Sequence, residues 1–351
     1  NPIIYFFMFG LIIAICAMSA FLIVGNNTLS TFAGRLAVGD LTTLLQYAIM
    51  ILMSMIMLVM VLVMITMSVA SANRIVQVLK TESTLVSPEN GVKEVKNGDI
   101  EFDNVNFSYA PESGKYALRN VDLKIKTGET VGILGGTGTS KSTLVQLIPR
   151  LYDTTTGSVK VGDVDVRDYD LVALRSAVAM VLQKNVLFSG TIKENIRWGK
   201  PDATDEEIVA ACKLAQADEF VSSFPDGYDT YIEQGGTNVS GGQRQRLCIA
   251  RAIIADPKVI IFDDSTSAVD TKTDALIRKA MAESHPNCTK IIIAQRVSSI
   301  EDADKILVMD GGEIVAMGTH DELMKSCDIY SEAYRMQNKV KKEDAEDARN
   351  E

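Results

Sequence analysis

The stretch ETVGILGGTGTSKST, residues 129–143, decides the fold. Glu129 to Leu134 read as a strand, Gly135-Gly136-Thr137-Gly138-Thr139-Ser140 as a glycine-rich loop, and Lys141-Ser142-Thr143 as the opening of a helix. Glycines let such a loop turn its backbone N–H groups inward around phosphate oxygens, and a helix N-terminus behind it favours anions. The pattern follows the phosphate loop GxxxxGK[ST] at every fixed position except the last glycine, which is Ser140. In that pattern Lys141 reaches the terminal phosphates of a nucleotide and the Ser142 hydroxyl ligates Mg²⁺. A glycine-rich turn without a ligand is the competing reading. The strand before and the helix after weigh against it.

Toward the C-terminus, Val259-Ile260-Ile261-Phe262-Asp263-Asp264 is an apolar run that delivers two acids to its tip, the signature of a buried parallel strand. Asp263 takes the role of the acid that holds Mg²⁺, and the residue after it is the one expected to orient or activate the attacking water. Asp264 is one methylene shorter than a glutamate, and a misplacement of about 1 Å can cost roughly a hundredfold in rate. The plainer alternative is that aspartate adjusts and works. A further strand, Lys290 to Ala294, ends at Gln295. With a strand over Ile100 to Phe107 ahead of the loop, these alternating signals predict a mostly parallel sheet flanked by helices. Between about 191 and 255 the strand signals disappear. Thr204 with Glu207 forms a capping box there and Ser240 precedes a long amphipathic run, so this insert reads as a helical subdomain.

The first fifth of the chain is of another kind. Residues 1–73 hold one cation, Arg35, and one carboxylate, Asp40, out of 35 Lys and Arg and 45 Asp and Glu in 351 residues. Residues 2–24 and 41–70 are apolar runs longer than the roughly 20 residues that cross a bilayer as a helix, which predicts two spans. The polar stretch from Gly25 to Asp40 is suited to an outer loop. The second helix is expected over Leu41 to Leu79, about 58 Å at 1.5 Å per residue, and projects into the cytosol. Met50, Met53, Met57, Met60, Met64 and Met67 fall on one stripe of it. The stripe reads as a seam against a neighbouring helix or as a pliant wall of a substrate pathway. The opening Asn1-Pro2 lacks the basic start of a signal peptide, and the chain reads as N-terminally truncated. The formal charge of −10 argues against nucleic acid as a partner. Five cysteines without paired spacing suggest no disulfide framework and a reduced setting. Residues 81–97 read as a linker and 339–351 as a charged tail.

Val239-Ser240-Gly241-Gly242-Gln243 gives the family. It matches the signature peptide of ATP-binding cassette proteins, and the chain resembles the C-terminal part of an ABC exporter half, most closely the degenerate subunit of bacterial heterodimeric multidrug exporters. The resemblance covers nearly the whole chain. It implies a fold of two transmembrane α-helices, a fragment of a six-helix membrane domain over 1–80, followed over 98–338 by an α/β phosphate-loop nucleotide-binding domain. ATP and Mg²⁺ are the implied cofactors. Tyr109 looks like the aromatic that stacks on adenine and Gln183 like the loop glutamine that senses Mg²⁺. Ser267-Ala268-Val269-Asp270 resembles the loop that crosses the dimer interface, with Asp270 in it, and Phe188 to Asn195 the groove that receives a coupling helix. His320 is read instead as part of a structural cap-like turn.

In the family two cassettes sandwich two ATPs head to tail, so that Ser240, Gly241, Gly242 and Gln243 face the γ-phosphate held by the other subunit. Gln295 stands at the switch position, where the family carries a histidine. Gln295 can hydrogen-bond but cannot carry a proton. The departures at Asp264 and Gln295 both touch the chain's own pocket, while the signature offered to a partner is kept. The resemblance therefore implies a cell-membrane exporter of drugs, lipids or other amphiphiles with its nucleotide-binding domain in the cytoplasm. This subunit would hold ATP, hydrolyse it poorly, and complete the competent site of a second half. The alternative is a nucleotide-sensing regulatory subunit that transports nothing itself.

Overall fold

The computed structural model describes residues 2–25, 38–265 and 269–338 and divides the chain into two compact units, 1–83 and 84–351. Most of the expected outer loop, Ser267 and Ala268 of the expected crossing loop, and the charged tail lie outside the described residues.

The first unit contains helices α1 (Pro2–Gly25) and α2 (Val38–Leu79). Neither has a polar face, the mark of a helix surrounded by apolar solvent rather than by water and a core. Both are long and apolar enough to cross a membrane. The hydroxyls of Ser54 and Thr66 donate to the carbonyls of Met50 and Val63, each at 2.8 Å, so these polar groups stay satisfied without water. At 42 residues α2 is about 63 Å long, twice the hydrocarbon thickness of a bilayer. It begins three residues earlier than the sequence suggested because Asp40 lies in its first turn, where a carboxylate suits the helix dipole. The six methionines of the stripe are all exposed.

The second unit opens on an antiparallel sheet, β2-β1-β4-β5, made of β1 (Ile100–Phe107), β2 (Leu118–Ile125), β4 (Thr156–Val161) and β5 (Val164–Asp165). A six-stranded sheet in the order β12-β11-β3-β10-β9-β6 forms its centre. Its members are β3 (Thr130–Leu134), β6 (Val178–Val181), β9 (Val259–Asp263), β10 (Thr289–Ile293), β11 (Lys305–Asp310) and β12 (Glu313–Gly318). All neighbours are parallel except β11 and β12. Every residue of β9 and β10 is buried, which is why Val259–Phe262 and Ile291–Ile293 are unbroken apolar runs. Register pairs Ile293 with Asp263 and Val181 with Phe262, so β10, β9 and β6 end side by side. Ligands of open parallel sheets bind outside those carboxyl ends.

Helices α3 (Lys141–Gln146), α4 (Leu171–Ala177), α9 (Thr271–Ser284) and α10 (His320–Ser326) accompany the sheets. The insert holds α5 (Ile192–Arg197), α6 (Asp205–Leu214), α7 (Asp218–Ser223) and α8 (Gly241–Ile253). It also holds a feature that the sequence reading lacked, the antiparallel pair β7 (Gly190–Thr191) and β8 (Tyr231–Ile232). Two residues are too few for a period-two pattern to show. The Thr204–Glu207 box caps α6, and the N–H of Thr319 donates to Glu322 at the start of α10. His320, inside that turn, shares a 2.8 Å hydrogen bond with the Tyr330 hydroxyl.

Candidate functional site

The loop between β3 and α3 is shaped by close quarters. A Cβ on Gly135 would stand 2.5 Å from the Met309 carbonyl oxygen, and Gly138 has φ +84°. Gly136, Thr137 and Gly138 form the exposed rim, while the Thr139 hydroxyl turns in and donates to Gly136 O at 2.9 Å. Ser140 sits in the left-handed region with φ 66° and makes no side-chain cap bond. That conformation is what the expected glycine would have supplied at lower steric cost. Lys141 Nζ curls over the loop and donates to Gly135 O at 2.8 Å and Gly136 O at 2.7 Å. Burial holds its ammonium below the usual lysine range, against the opposing pull of the Asp264 and Asp263 carboxylates.

Two elements distant in sequence meet beside it. Ser142 Oγ donates to Asp263 Oδ1 at 2.9 Å. Burial pushes the Asp263 carboxyl above the usual carboxylate range; the Ser142 hydrogen bond opposes this, the Asp264 charge adds to it and Lys141 opposes it. A dication placed here would relieve the crowding of two acids in a dry setting. The donor set, one carboxylate and one hydroxyl, fits Mg²⁺, a hard ion that takes few protein oxygens and keeps water or phosphate on the rest. Among the described residues no group of three or more His, Cys, Asp or Glu could hold a metal unaided.

Thr143 is buried, and its hydroxyl lies 3.0 Å from the Tyr109 hydroxyl, which brings the aromatic to the phosphate loop. The Tyr109 ring is held edge-on by Phe107 and Tyr152, with centroids 4.8 and 5.1 Å away, yet is 56% exposed. A base could stack on it.

Asp264 follows β9 in a left-handed conformation, φ 48°, with its N–H bonded to Ile293 O at 3.0 Å. Its Oδ2 accepts from Gln183 Nε2 at 3.0 Å and also from Gln295 Nε2. Gln183 thus stands against Asp264 rather than against Ser142 or Asp263, the residues with which the sequence reading grouped it. A residue that sequence reasoning missed fixes this corner: Gln337 donates to Gln295 O and accepts from the Val297 N–H, both at 2.8 Å. A partner 42 residues away by the chain leaves no local signal.

Ser240 caps α8 in a full capping box. Its Oγ accepts from the Gln243 N–H at 3.3 Å and its own N–H donates to Gln243 Oε1 at 2.9 Å. Gln243 therefore spends its side-chain oxygen inside the turn, where the sequence reading had it facing phosphate with its neighbours. Ser240 and Gly241 are exposed, and the first N–H groups of a helix have no partner within it. No hydrogen bond among the described residues joins Ser240, Gly241 or Gly242 to the 135–143 loop. Asp270 caps α9 through bonds from Thr273 N at 2.9 Å and Thr273 Oγ1 at 2.7 Å, and these donors lower its pKa, the backbone N–H first.

A groove elsewhere on this unit is lined by Met180, Phe188, Trp198 and Arg251. Phe188 and Trp198 stack with centroids 4.8 Å apart. The range expected there, Phe188 to Asn195, is corrected at its far end. Asn195 is 1% exposed and works beneath the groove, bonding the N–H and carbonyl of Phe188 and accepting from Arg251 at 2.9 Å.

Residues 118–267 match the family described as ABC transporter. The uncharacterized ABC transporter ATP-binding protein YfiB of Bacillus subtilis is 42% identical over 316 residues, 90% of this chain and 54% of that protein. The putative multidrug export ATP-binding/permease protein YgaD of the same organism is 40% identical over 87% of this chain and 53% of its own length. The structure of a bacterial Atm1-family ABC exporter with ATP bound superposes with a TM-score of 0.73 at 32% identity, over 92% of this chain and 55% of that one. The chain spans about half the length of the curated relatives it matches. Two helices long and apolar enough to cross a membrane thus precede an α/β domain built round a phosphate loop, and that domain, through residues 118–267, is of the ABC transporter family, in a chain placed at the cell membrane.

Proposed function

We propose that this chain is the nucleotide-holding subunit of an ATP-driven exporter that works as a heterodimer. Its own pocket binds Mg-ATP on the cytoplasmic side: the 135–143 loop takes the phosphates, Tyr109 stacks on the base, and Ser142 and Asp263 hold Mg²⁺ with Gln183 at its edge. The metal supplies charge neutralisation at the phosphates. Hydrolysis there is slow, because Asp264 is short and both amides beside it bond its carboxylate. Ser240, Gly241 and Gly242 complete the pocket of a second half, which brings its own phosphate loop, a glutamate after its Mg²⁺-binding aspartate and a switch histidine. Asp270 lies at the junction of the two.

One contrast carries this reading. The helix start lent to the partner is fully capped and exposed, while the acid of the chain's own pocket is short and held by two glutamine side chains. The cargo is an amphiphile, drug-like or lipid, a class supported by the multidrug-export names of relatives and by the apolar helices. The test is ATPase activity of the full-length protein, alone and with a co-expressed second half, in nanodiscs. The pair is expected to exceed the lone protein by about a hundredfold, the loss that a misplaced catalytic group brings. Equal rates would remove the division of labour.

A further inference from the structure

The chain leaves α2 at Leu79 and enters the second unit at Thr84, and the residues that follow lie on that unit as a strap. Ser87 Oγ accepts from the N–H of Leu171, the first residue of α4, at 2.9 Å. Val92 pairs with Tyr169: its N–H donates to Asp168 O at 2.9 Å and its carbonyl accepts from the Asp170 N–H at 3.0 Å. The approach is so close that a Cβ on Gly91 would stand 2.7 Å from Asp170 N. Val95, buried, shares an apolar cluster with Tyr169 and with Leu144, Val145, Leu147 and Ile148 of α3 and the turn after it. Arg150 ends that turn in a left-handed conformation, φ 50°, and is 6% exposed. Its guanidinium grips Asp153 with two bonds, Nε to Oδ1 at 2.7 Å and Nη2 to Oδ2 at 3.1 Å. Nη1 donates to two carbonyls at 3.3 Å, that of Val86 in the strap and that of Arg167 in the segment ahead of α4. The Arg150 carbonyl accepts from Arg175 Nη2 of α4 at 2.9 Å. One planar fork thus joins the end of the phosphate-loop helix, the strap and the bed on which the strap lies, which the point charge of a lysine could not span.

We propose that Arg150 is a positioning residue that ties the strap of residues 84–92 to the phosphate-loop helix, so that nucleotide in the 135–143 loop and docking of the strap, the continuation of α2, stabilise each other. This rests on the reading that the pocket binds Mg-ATP, and adds a route along the chain's own backbone, apart from the groove beside Phe188. Phosphates that engage Lys141, Ser142 and Thr143 fix α3 at its start. The fixed helix holds Arg150 beyond its far end, and Arg150 holds Val86. Linkage requires the reverse as well: lifting the strap frees Arg150 and loosens the helix that presents its N–H groups to phosphate. ATP affinity then falls by the same factor by which ATP secures the strap.

The experiment is amide hydrogen exchange of the full-length protein, assembled with its second half in nanodiscs, with and without Mg-ATP. Peptides over residues 85–92 report the strap, and peptides over 135–146, followed through an ATP titration, give the affinity of this chain's pocket alone. In the wild type ATP is expected to slow exchange of the strap by about tenfold, within the usual range for linked sites. Arg150→Lys keeps the charge but not the fork, so the slowing is expected to fall to about twofold or less while the 135–146 peptides still respond to ATP. Gly91→Val lifts the strap without touching the phosphate loop, and is expected to weaken ATP binding by about tenfold, matching the wild-type slowing to within about twofold. Thermal unfolding of the nucleotide-free protein checks that each variant folds, and should one fail, the other decides together with the wild type. A strap unmoved by ATP in the wild type, full slowing kept in Arg150→Lys, or wild-type ATP affinity in Gly91→Val would overturn the tie. Wild-type 135–146 peptides that do not respond to ATP would instead overturn the reading beneath it.

Discussion

Ser140 and Ser240 each stand one residue before a helix, and they do opposite things there. Ser240 is extended, φ −65°, and its hydroxyl and N–H are both locked into the first turn of a 13-residue helix. Ser140 is left-handed, φ 66°, with no side-chain cap bond, before a helix of six residues. The Ser240 helix start keeps the form that a helix needs to present bare N–H groups to an anion. The Ser140 loop carries a residue in a conformation that disfavours its type, and the polar groups near it turn on one another: Lys141 onto loop carbonyls, Ser142 onto Asp263, two glutamines onto Asp264. On the proposed function, the comparison separates a surface lent to a second half from a pocket that retains its nucleotide.

The strongest way to break that separation is to charge the lent surface without unfolding it. Ser240→Asp keeps a good cap, since aspartate ranks with serine at this position, yet sets a negative charge where a phosphate of the partner's nucleotide would sit. Loss of a single preorganised donor in such a site costs about 10²–10³ in rate, so ATPase of the assembled pair is expected to fall by at least about a hundredfold. Nucleotide bound by this chain's own pocket should change by less than about twofold. A fluorescent ATP analogue titrated onto each subunit separates the two, and a loss of both would mean that the regions are not independent. The converse variant, Lys141→Ala, removes a charge-assisted contact worth about 1.5–3 kcal/mol, which lowers this chain's nucleotide affinity by roughly 10- to 100-fold. The cap at Ser240 should be untouched, as judged by unchanged thermal unfolding of the nucleotide-free protein.

Much of the fold was legible because its signals are local or periodic. The strand Ile100–Phe107 and the start of the Lys141 helix were read at their observed bounds, and the apolar runs became α1 and α2. The β7–β8 pair escaped notice because two-residue strands have no period. The chemistry was legible as a list of residues but not as an arrangement. Sequence order grouped Gln183 with the metal, whereas strand order sets it across from Gln295 with Asp264 between them. Gln337 and the burial of Asn195 depend on contacts far along the chain or beneath a surface, which spacing does not encode. The left-handed backbone at Ser140 falls where the pattern has its last glycine, though sequence reasoning drew no conformation from it; that at Asp264 has no such mark, and it suits aspartate, which tolerates this region better than longer side chains do.

The smallest expected effect returns to the two serines. A left-handed conformation costs a residue with a Cβ about 1–2 kcal/mol, while glycine adds about 0.5–1 kcal/mol of unfolded-chain entropy to be lost on folding. The balance for Ser140→Gly is a gain of about 0.5–1 kcal/mol, and a domain of this size gains about 2–4 °C in Tm for each kcal/mol. A rise of about 1–4 °C is therefore the expectation for the nucleotide-free protein, measured by thermal unfolding. The same substitution at Ser240 runs the other way, because there φ is ordinary and a cap bond is lost, at a cost of a few tenths of a kcal/mol. The sign difference, rather than either magnitude, is what the comparison requires. If both serines respond alike, Ser140 is not strained, and the contrast between a retaining pocket and a lent helix start loses its backbone component.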